Sequence, residues 1–166
     1  RELVNKNYKF FSDTDTEVVL NSYKEWGVDC FKKFNGEWAL AILDKNDQSL
    51  IICRDGIGYK PCYIFEDEKF FAFSSEVKGL SSISSLEFNP SNLGINSSTL
   101  QSTCNTVFQN INILKHGRVL KINLKDLTKS YERWDFPLRN LPKINPGYKE
   151  NISDFYTLLY ESTKVR

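Results

Sequence analysis

The stretch Trp38-Ala39-Leu40-Ala41-Ile42-Leu43-Asp44-Lys45-Asn46-Asp47, with the returning run Leu50-Ile51-Ile52-Cys53, decides the fold. Trp38 to Leu43 is nearly all apolar, as expected of a strand covered on both faces. Asp44 to Asp47 carries turn chemistry, since Asp and Asn side chains bond their own backbone and tolerate positive φ. Leu50 to Cys53 then reads as the antiparallel return. After it stands Arg54-Asp55-Gly56-Ile57-Gly58-Tyr59-Lys60-Pro61, a loop shaped by Gly58 and Pro61.

Downstream, Tyr63–Phe65 and Phe70–Phe73 make a second hairpin across the acidic turn Glu66-Asp67-Glu68, and a short helix runs from near Ser75 or Glu76 to Leu80. Upstream, Tyr8–Phe11 reads as a short strand. Thr14 and Glu17 have capping-box spacing, in which each side chain bonds the other's backbone N–H. The helix that follows is expected to bury Val18, Val19, Tyr23 and Trp26 and to stop near Gly27, with a second short helix over Asp29–Phe34. Residues 81–105 are rich in Ser and Asn and read as a connection with one helical turn near Leu100. Val107–Ile113, Arg118–Ile122 and Ser130–Trp134 are strand-like. Three prolines between Pro137 and Pro146 suggest a linker over 137–150. Ile152, Phe155, Leu158 and Leu159 then fall at helical spacing, giving an amphipathic helix over Ser153–Lys164. The class is α+β, with mainly antiparallel strands and helices packed outside.

At 166 residues, 40% hydrophobic and a net charge of +1, the chain fits one domain with a fringe of a second. No polybasic surface points to nucleic acid, and no apolar run approaches the roughly 20 residues of a membrane span. The four cysteines show no CxxC spacing, and Cys53 and Cys62 lie in apolar runs. Buried reduced thiols are the expectation, and with them a reducing cytoplasm. The single histidine, His116, reads as a loop residue and cannot build a zinc site with scattered thiols.

Taken in order, Thr14-Asp15-Thr16-Glu17-Val18, then Asn35-Gly36 before the apolar strand, then Arg54 to Pro61, resemble the glutamine-hydrolysing domain of asparagine synthetases. That family is a class II glutamine amidotransferase with an N-terminal cysteine nucleophile. Ser74-Ser75-Glu76-Val77-Lys78-Gly79-Leu80 resembles a further family segment, with Gly79 where Ala is usual. Thr106-Val107-Phe108 with Ile111, Leu114-Lys115-His116-Gly117 and Arg133-Trp134-Asp135-Phe136 resemble later ones, with Lys115-His116 in place of two prolines.

The resemblance implies a layered αββα N-terminal-nucleophile fold, truncated at its N-terminus. It places the amidotransferase domain over 1–136, the linker over 137–150 and the first helix of a synthetase domain over 151–166. It gives Asp15 the α-ammonium of glutamine, although a carboxylate at a helix start also has a plain electrostatic explanation. Glu17 is a structural cap. Asn35 and Gly36 mark the fold, and equally read as a β-turn. Arg54, Asp55, Gly58 and Pro61 shape the pocket, with Arg54 set either against a buried carboxylate or in a surface Arg-Asp turn. Ser75 and Glu76 complete the set, and Glu76 reads equally well as a solvated charge.

No residue of the chain is expected to be catalytic or to bind a metal. The cysteine, an arginine for the substrate carboxylate and an Asn-Gly oxyanion hole are expected before Arg1, and an ATP-binding loop after Arg166. Alone, the chain is therefore expected to be inactive, with exposed sheet edges. In the full enzyme, glutamine would yield glutamate and ammonia, and a following domain using ATP and magnesium would amidate aspartate. Neither nucleic acid nor membrane is an expected partner, and a homodimer is one open assembly. Two other readings stay open: a relative making another amide by the same plan, and an inactive scaffold or interaction domain.

Overall fold

The structure, a computed structural model, describes residues 1–83, 85–134 and 148–164. The chain divides into two units, Arg1–Asp135 and Phe136–Arg166. The first begins with helices α1 (Glu2–Asn5) and α2 (Asp15–Trp26) and a 3-10 segment, Gly27–Lys33. Strands β1 (Ala39–Asp44), β2 (Ser49–Arg54), β3 (Tyr63–Glu66) and β4 (Phe71–Ser74) follow. After a 3-10 turn at Val77–Leu80 come α3 (Ser97–Thr103), β5 (Ile111–Ile113), β6 (Arg118–Asn123) and β7 (Lys129–Arg133). The second unit holds α4 (Tyr148–Lys164), which starts earlier than its apolar spacing suggests.

Among the described residues two sheets form, ordered β1-β2-β6-β7 and β4-β3-β5, with every pairing antiparallel. The first hairpin pairs Ala39 with Arg54 and Asp44 with Ser49. Its turn closes as the sequence suggests. Asp44 Oδ1 accepts the N–H groups of Asn46 and Asp47, each at 3.0 Å, and Gln48 takes a positive φ of 47°.

The core is layered because the central strands send alternate residues to opposite faces. On one face, Ile51, Cys53 and Val119 pack with Cys30, Phe31 and Ile42 under Val19, Tyr23 and Trp26 of α2. On the other, Ile52, Leu120 and Ile122 meet Ile64 of the second sheet and Cys62 and Leu114, which flank its strands β3 and β5. Beyond that sheet, Phe65 and Ile111 are covered by Leu80, Val77 and Leu86. Each fully buried Phe or Ile contributes about 1.5–3 kcal/mol from area removed from water.

Several local expectations are corrected. The apolar run in β1 is covered on one face only: Ile42 is buried, while Ala39, Ala41 and Leu43 are exposed. β1 lies at a sheet edge, and the residues that cover the second face reach β2 and β6 but no residue of β1. Tyr8–Phe11 is not a strand; the N–H of Phe11 goes to the Glu17 carboxylate, as does that of Ser12, instead of to a ladder. Val18 is exposed.

Of Val107–Ile113 only Ile111–Ile113 is strand. Asn110 takes a φ of 58° and interrupts the extended run, and the Thr106 hydroxyl donates to the Ile111 carbonyl at 2.7 Å. The helix expected from Ser75 or Glu76 is a 3-10 turn beginning at Val77. The proline-punctuated segment 137–147 lies outside the described residues.

Candidate functional site

Asp15 is the first residue of α2, and Thr14 before it is extended (φ −101°, ψ 142°). Asp15 is exposed, and its carboxylate has no hydrogen-bond or ion-pair partner among the described residues. It lines a cleft of about 360 Å³ with Leu3, Phe10, Ser12, Asp13 and Thr14 among its walls. The free N–H groups and dipole at a helix start favour a carboxylate there, so Asp15 is a charge held at low cost and left open to a cation.

The expected capping box is not made. Thr14 supplies no side-chain cap, and its hydroxyl lies 2.9 Å from that of Ser12. Glu17 instead reaches back past Thr14. It accepts the Ser12 hydroxyl at 2.7 Å, the Ser12 N–H at 2.8 Å and the Phe11 N–H at 3.0 Å. These bonds, led by the Ser12 hydroxyl, hold the Glu17 carboxyl below its ordinary range. The sequence spacing finds the right acceptor, Glu17, but the wrong donor, because Ser12 offers a hydroxyl and an N–H together.

The Arg54–Pro61 loop is a second, separately built feature. Asp55 is only 2% exposed. Its Oδ1 accepts from Ile57, Gly58 and Tyr59 at 3.1, 2.6 and 3.0 Å, and its Oδ2 from Lys60 at 3.0 Å. Burial pushes the carboxyl up, but these four backbone donors outweigh it and leave it below the usual range. Among the described residues Arg54 meets no carboxylate. Asp55 is engaged with the loop's N–H groups, and Arg54 takes the carbonyls: Nε to Lys60 at 2.5 Å, Nη1 to Leu114 at 2.9 Å, and Nη2 to Gly58.

Gly58 needs its φ of 78°, and a Cβ on it would lie 2.9 Å from His116 Cβ. His116 Nδ1 sits 3.0 Å from the Gly56 carbonyl, and Gly117 donates to the Asp55 carbonyl at 3.1 Å. Nothing in the motif flagged Ser12 or His116. Ser12 stands two residues before Thr14, and His116 departs from the family's prolines.

The remaining predicted residues are scattered. Asn35, Gly36, Pro61, Ser75 and Glu76 are exposed. Gly36 lies at a bend with a φ of 132° and open space where a Cβ would stand. Glu76 pairs with Lys78 at 2.6 Å on the surface, a pair worth little. None of Asn35, Gly36, Arg54, Asp55, Gly58, Pro61, Ser75 or Glu76 lines the Asp15 cleft.

A larger cleft, about 470 Å³, opens between α2 and β1, but its Tyr23 hydroxyl is bonded to Asp44 at 3.2 Å. Burial, then Asp44, pushes Tyr23 up to about 12, which leaves it a donor and no base. The thiols of Cys30 and Cys62 are pushed by burial up to about 12 and about 11, and that of Cys53 is raised as well. No cysteine lines the Asp15 cleft. Among the described residues no His, Cys, Asp or Glu cluster could hold a metal ion, and no helix is long and apolar enough to cross a membrane.

Comparison with known proteins gives a consistent result. A family model described as "Glutamine amidotransferase domain" matches residues 1–134. A Methanocaldococcus jannaschii protein assigned by inference as asparagine synthetase [glutamine-hydrolyzing] 2 is 32% identical over 96% of this chain and 32% of its own length. Asparagine synthetase [glutamine-hydrolyzing] 2 of Bacillus subtilis is 30% identical over 88% of this chain and 20% of its own. The chain thus spans a third or less of these relatives. Among solved structures, the glutamine phosphoribosylpyrophosphate amidotransferase of B. subtilis superposes with a TM-score of 0.57 at 18% identity, over 82% of this chain and 26% of that one. That likeness supports the layered αββα arrangement. With the motifs, the sheet order and the family match in agreement, the chain belongs to the glutamine amidotransferase domain family.

Proposed function

We propose that this chain is the glutamine-handling part of a glutamine-dependent asparagine synthetase. The observation that carries the reading is Asp15, an unpartnered carboxylate at a helix start on the wall of a cleft. In this reading Asp15 receives the α-ammonium of glutamine by a charge-assisted contact and orients the substrate. The Arg54–Pro61 loop is a rigid support whose charged groups are engaged with backbone and not with substrate.

The complete protein hydrolyses glutamine to glutamate and ammonia, and a following domain amidates aspartate with ATP and magnesium. The boundaries are 1–136 for the amidotransferase domain, 137–150 for a linker and 151–166 for the first synthetase helix. Acyl transfer of this kind needs an accessible thiolate and donors for the oxyanion. Cys30, Cys53 and Cys62 are buried, and neither they nor the half-buried Cys104 lines the Asp15 cleft, so this reading gives the thioester to a cysteine other than these four. Reduced buried thiols favour a cytoplasmic setting.

The test is an assay of the native gene product with aspartate, ATP and magnesium, using glutamine or ammonia as nitrogen source. The expected result is asparagine from either source, with glutamate formed only from glutamine. Ammonia transfer to another acceptor, or a folded product that neither binds nor hydrolyses glutamine, overturns it.

A further inference from the structure

We propose that Glu17 is a positioning residue for the amino-acid substrate, clamping the Phe11–Ser12 segment against the start of α2 and so holding in place residues that line the same cleft as Asp15. The inference rests on the reading of Asp15 as the ammonium contact and adds how that contact is held in place.

Three relationships carry it. Asp15 and Glu17 lie in the same first turn of α2, so their backbones move together. The same cleft is lined by Phe10 and Ser12, which precede the helix and belong to no helix or strand. Glu17 joins this segment to the helix. Its Oε2 takes both the N–H and the hydroxyl of Ser12, and its Oε1 takes the Phe11 N–H. Ser12 in turn holds the Thr14 hydroxyl at 2.9 Å, which occupies the group that would otherwise cap the helix. Without Glu17, the N–H groups of Phe11 and Ser12 have no other partner among the described residues and turn to water. The Phe11–Ser12 segment then has no hydrogen bond, among the described residues, to the helix that carries Asp15.

A carboxylate is suited to this task because the three bonds all come from donors. Gln keeps one acceptor oxygen and places an NH₂ group where the other was, facing N–H groups that it cannot bind. Asp is shorter by one methylene and falls short of a turn five and six residues back.

The experiment uses the full-length native enzyme and compares Glu17→Gln, Glu17→Asp, Ser12→Ala and Asp15→Asn, with glutamine and with ammonia. Glu17→Gln is expected to raise KM for glutamine about five- to tenfold, less than the loss of a direct charge-assisted contact to the substrate would, because Glu17 acts through the segment it holds. kcat at saturating glutamine and the ammonia-dependent rate should stay within about twofold, the signature of lost binding alone. Ser12→Ala, which removes one of the bonds, should give a smaller rise, and Glu17→Asp should not rescue. Amide exchange at Phe11 and Ser12 should quicken in Glu17→Gln while β2 and β6 keep their protection.

An equal fall with glutamine and ammonia, or exchange spreading into β2 and β6, makes Glu17 a folding residue and overturns the proposal. If Asp15→Asn raises KM for glutamine and Glu17→Gln does not, the clamp alone falls. If Asp15→Asn itself leaves KM unchanged, the glutamine reading falls first. Should Glu17→Gln fail to fold, Ser12→Ala decides, and an unchanged KM there contradicts the clamp.

Discussion

Gly58 and His116 are packed so closely that a Cβ on the glycine would stand 2.9 Å from the Cβ of the histidine. The same position has a φ of 78°, in the left-handed region that L side chains avoid. Gly58→Ala therefore meets a conformational cost and a steric one together. We expect a loss of about 2–4 kcal/mol, read as a lower melting temperature of this domain's transition in the native protein. The double variant Gly58→Ala, His116→Gly, which removes the histidine Cβ, should recover only part of it relative to His116→Gly alone, since the φ penalty remains. Full recovery would show that the contact alone matters.

Asp55 is the centre of the same loop, and its four N–H donors are lost in part when one oxygen becomes an amide. Asp55→Asn is expected to cost about 2–4 kcal/mol at neutral pH. The pH dependence has a definite sign. The folded-state pKa is depressed, so the stabilisation is fully present above the unfolded value, about 3.9, and is lost as pH falls through the folded value. Unfolding measured from pH 7 downward should show the difference between wild type and Asp55→Asn shrinking below about pH 4. A difference that grows on acidification would contradict the assignment.

The cysteines make a chemical prediction. Cys30, Cys53 and Cys62 are buried, with thiols raised by burial, while Cys104 is half-buried. Alkylation of the folded protein at pH 8, read by peptide mass spectrometry, should modify Cys104 and spare the other three until denaturant is added. Native-state modification of Cys30 or Cys53 would mean that the helical layer over β2 opens readily.

The strand pattern was legible where apolar runs met good turn chemistry. Asp44-Lys45-Asn46-Asp47 reports its own turn, because the Asx bonds are local. The coverage of β1 was not legible, because an apolar run does not say how far a second sheet reaches. Tyr8–Phe11 was misread for a related reason: its aromatic alternation is strand-like, but strands need partners and Glu17 takes its N–H groups. Asp15 could be singled out by motif, since a helix start and a carboxylate are both local features. The three carbonyls around Arg54 could not, since one of them, Leu114, is sixty residues away.

The central claim is that Asp15 binds the α-ammonium of glutamine, and the most direct measurement is the steady-state kinetics of Asp15→Asn in the full-length native enzyme, with Asp13→Asn as the neighbouring control. Losing a charge-assisted contact should raise KM for glutamine about ten- to a hundredfold, while Asp13→Asn has a small effect and the ammonia-dependent rate is unchanged for both. An unchanged glutamine KM in Asp15→Asn, or an equal loss of the glutamine- and ammonia-dependent rates, would contradict the account.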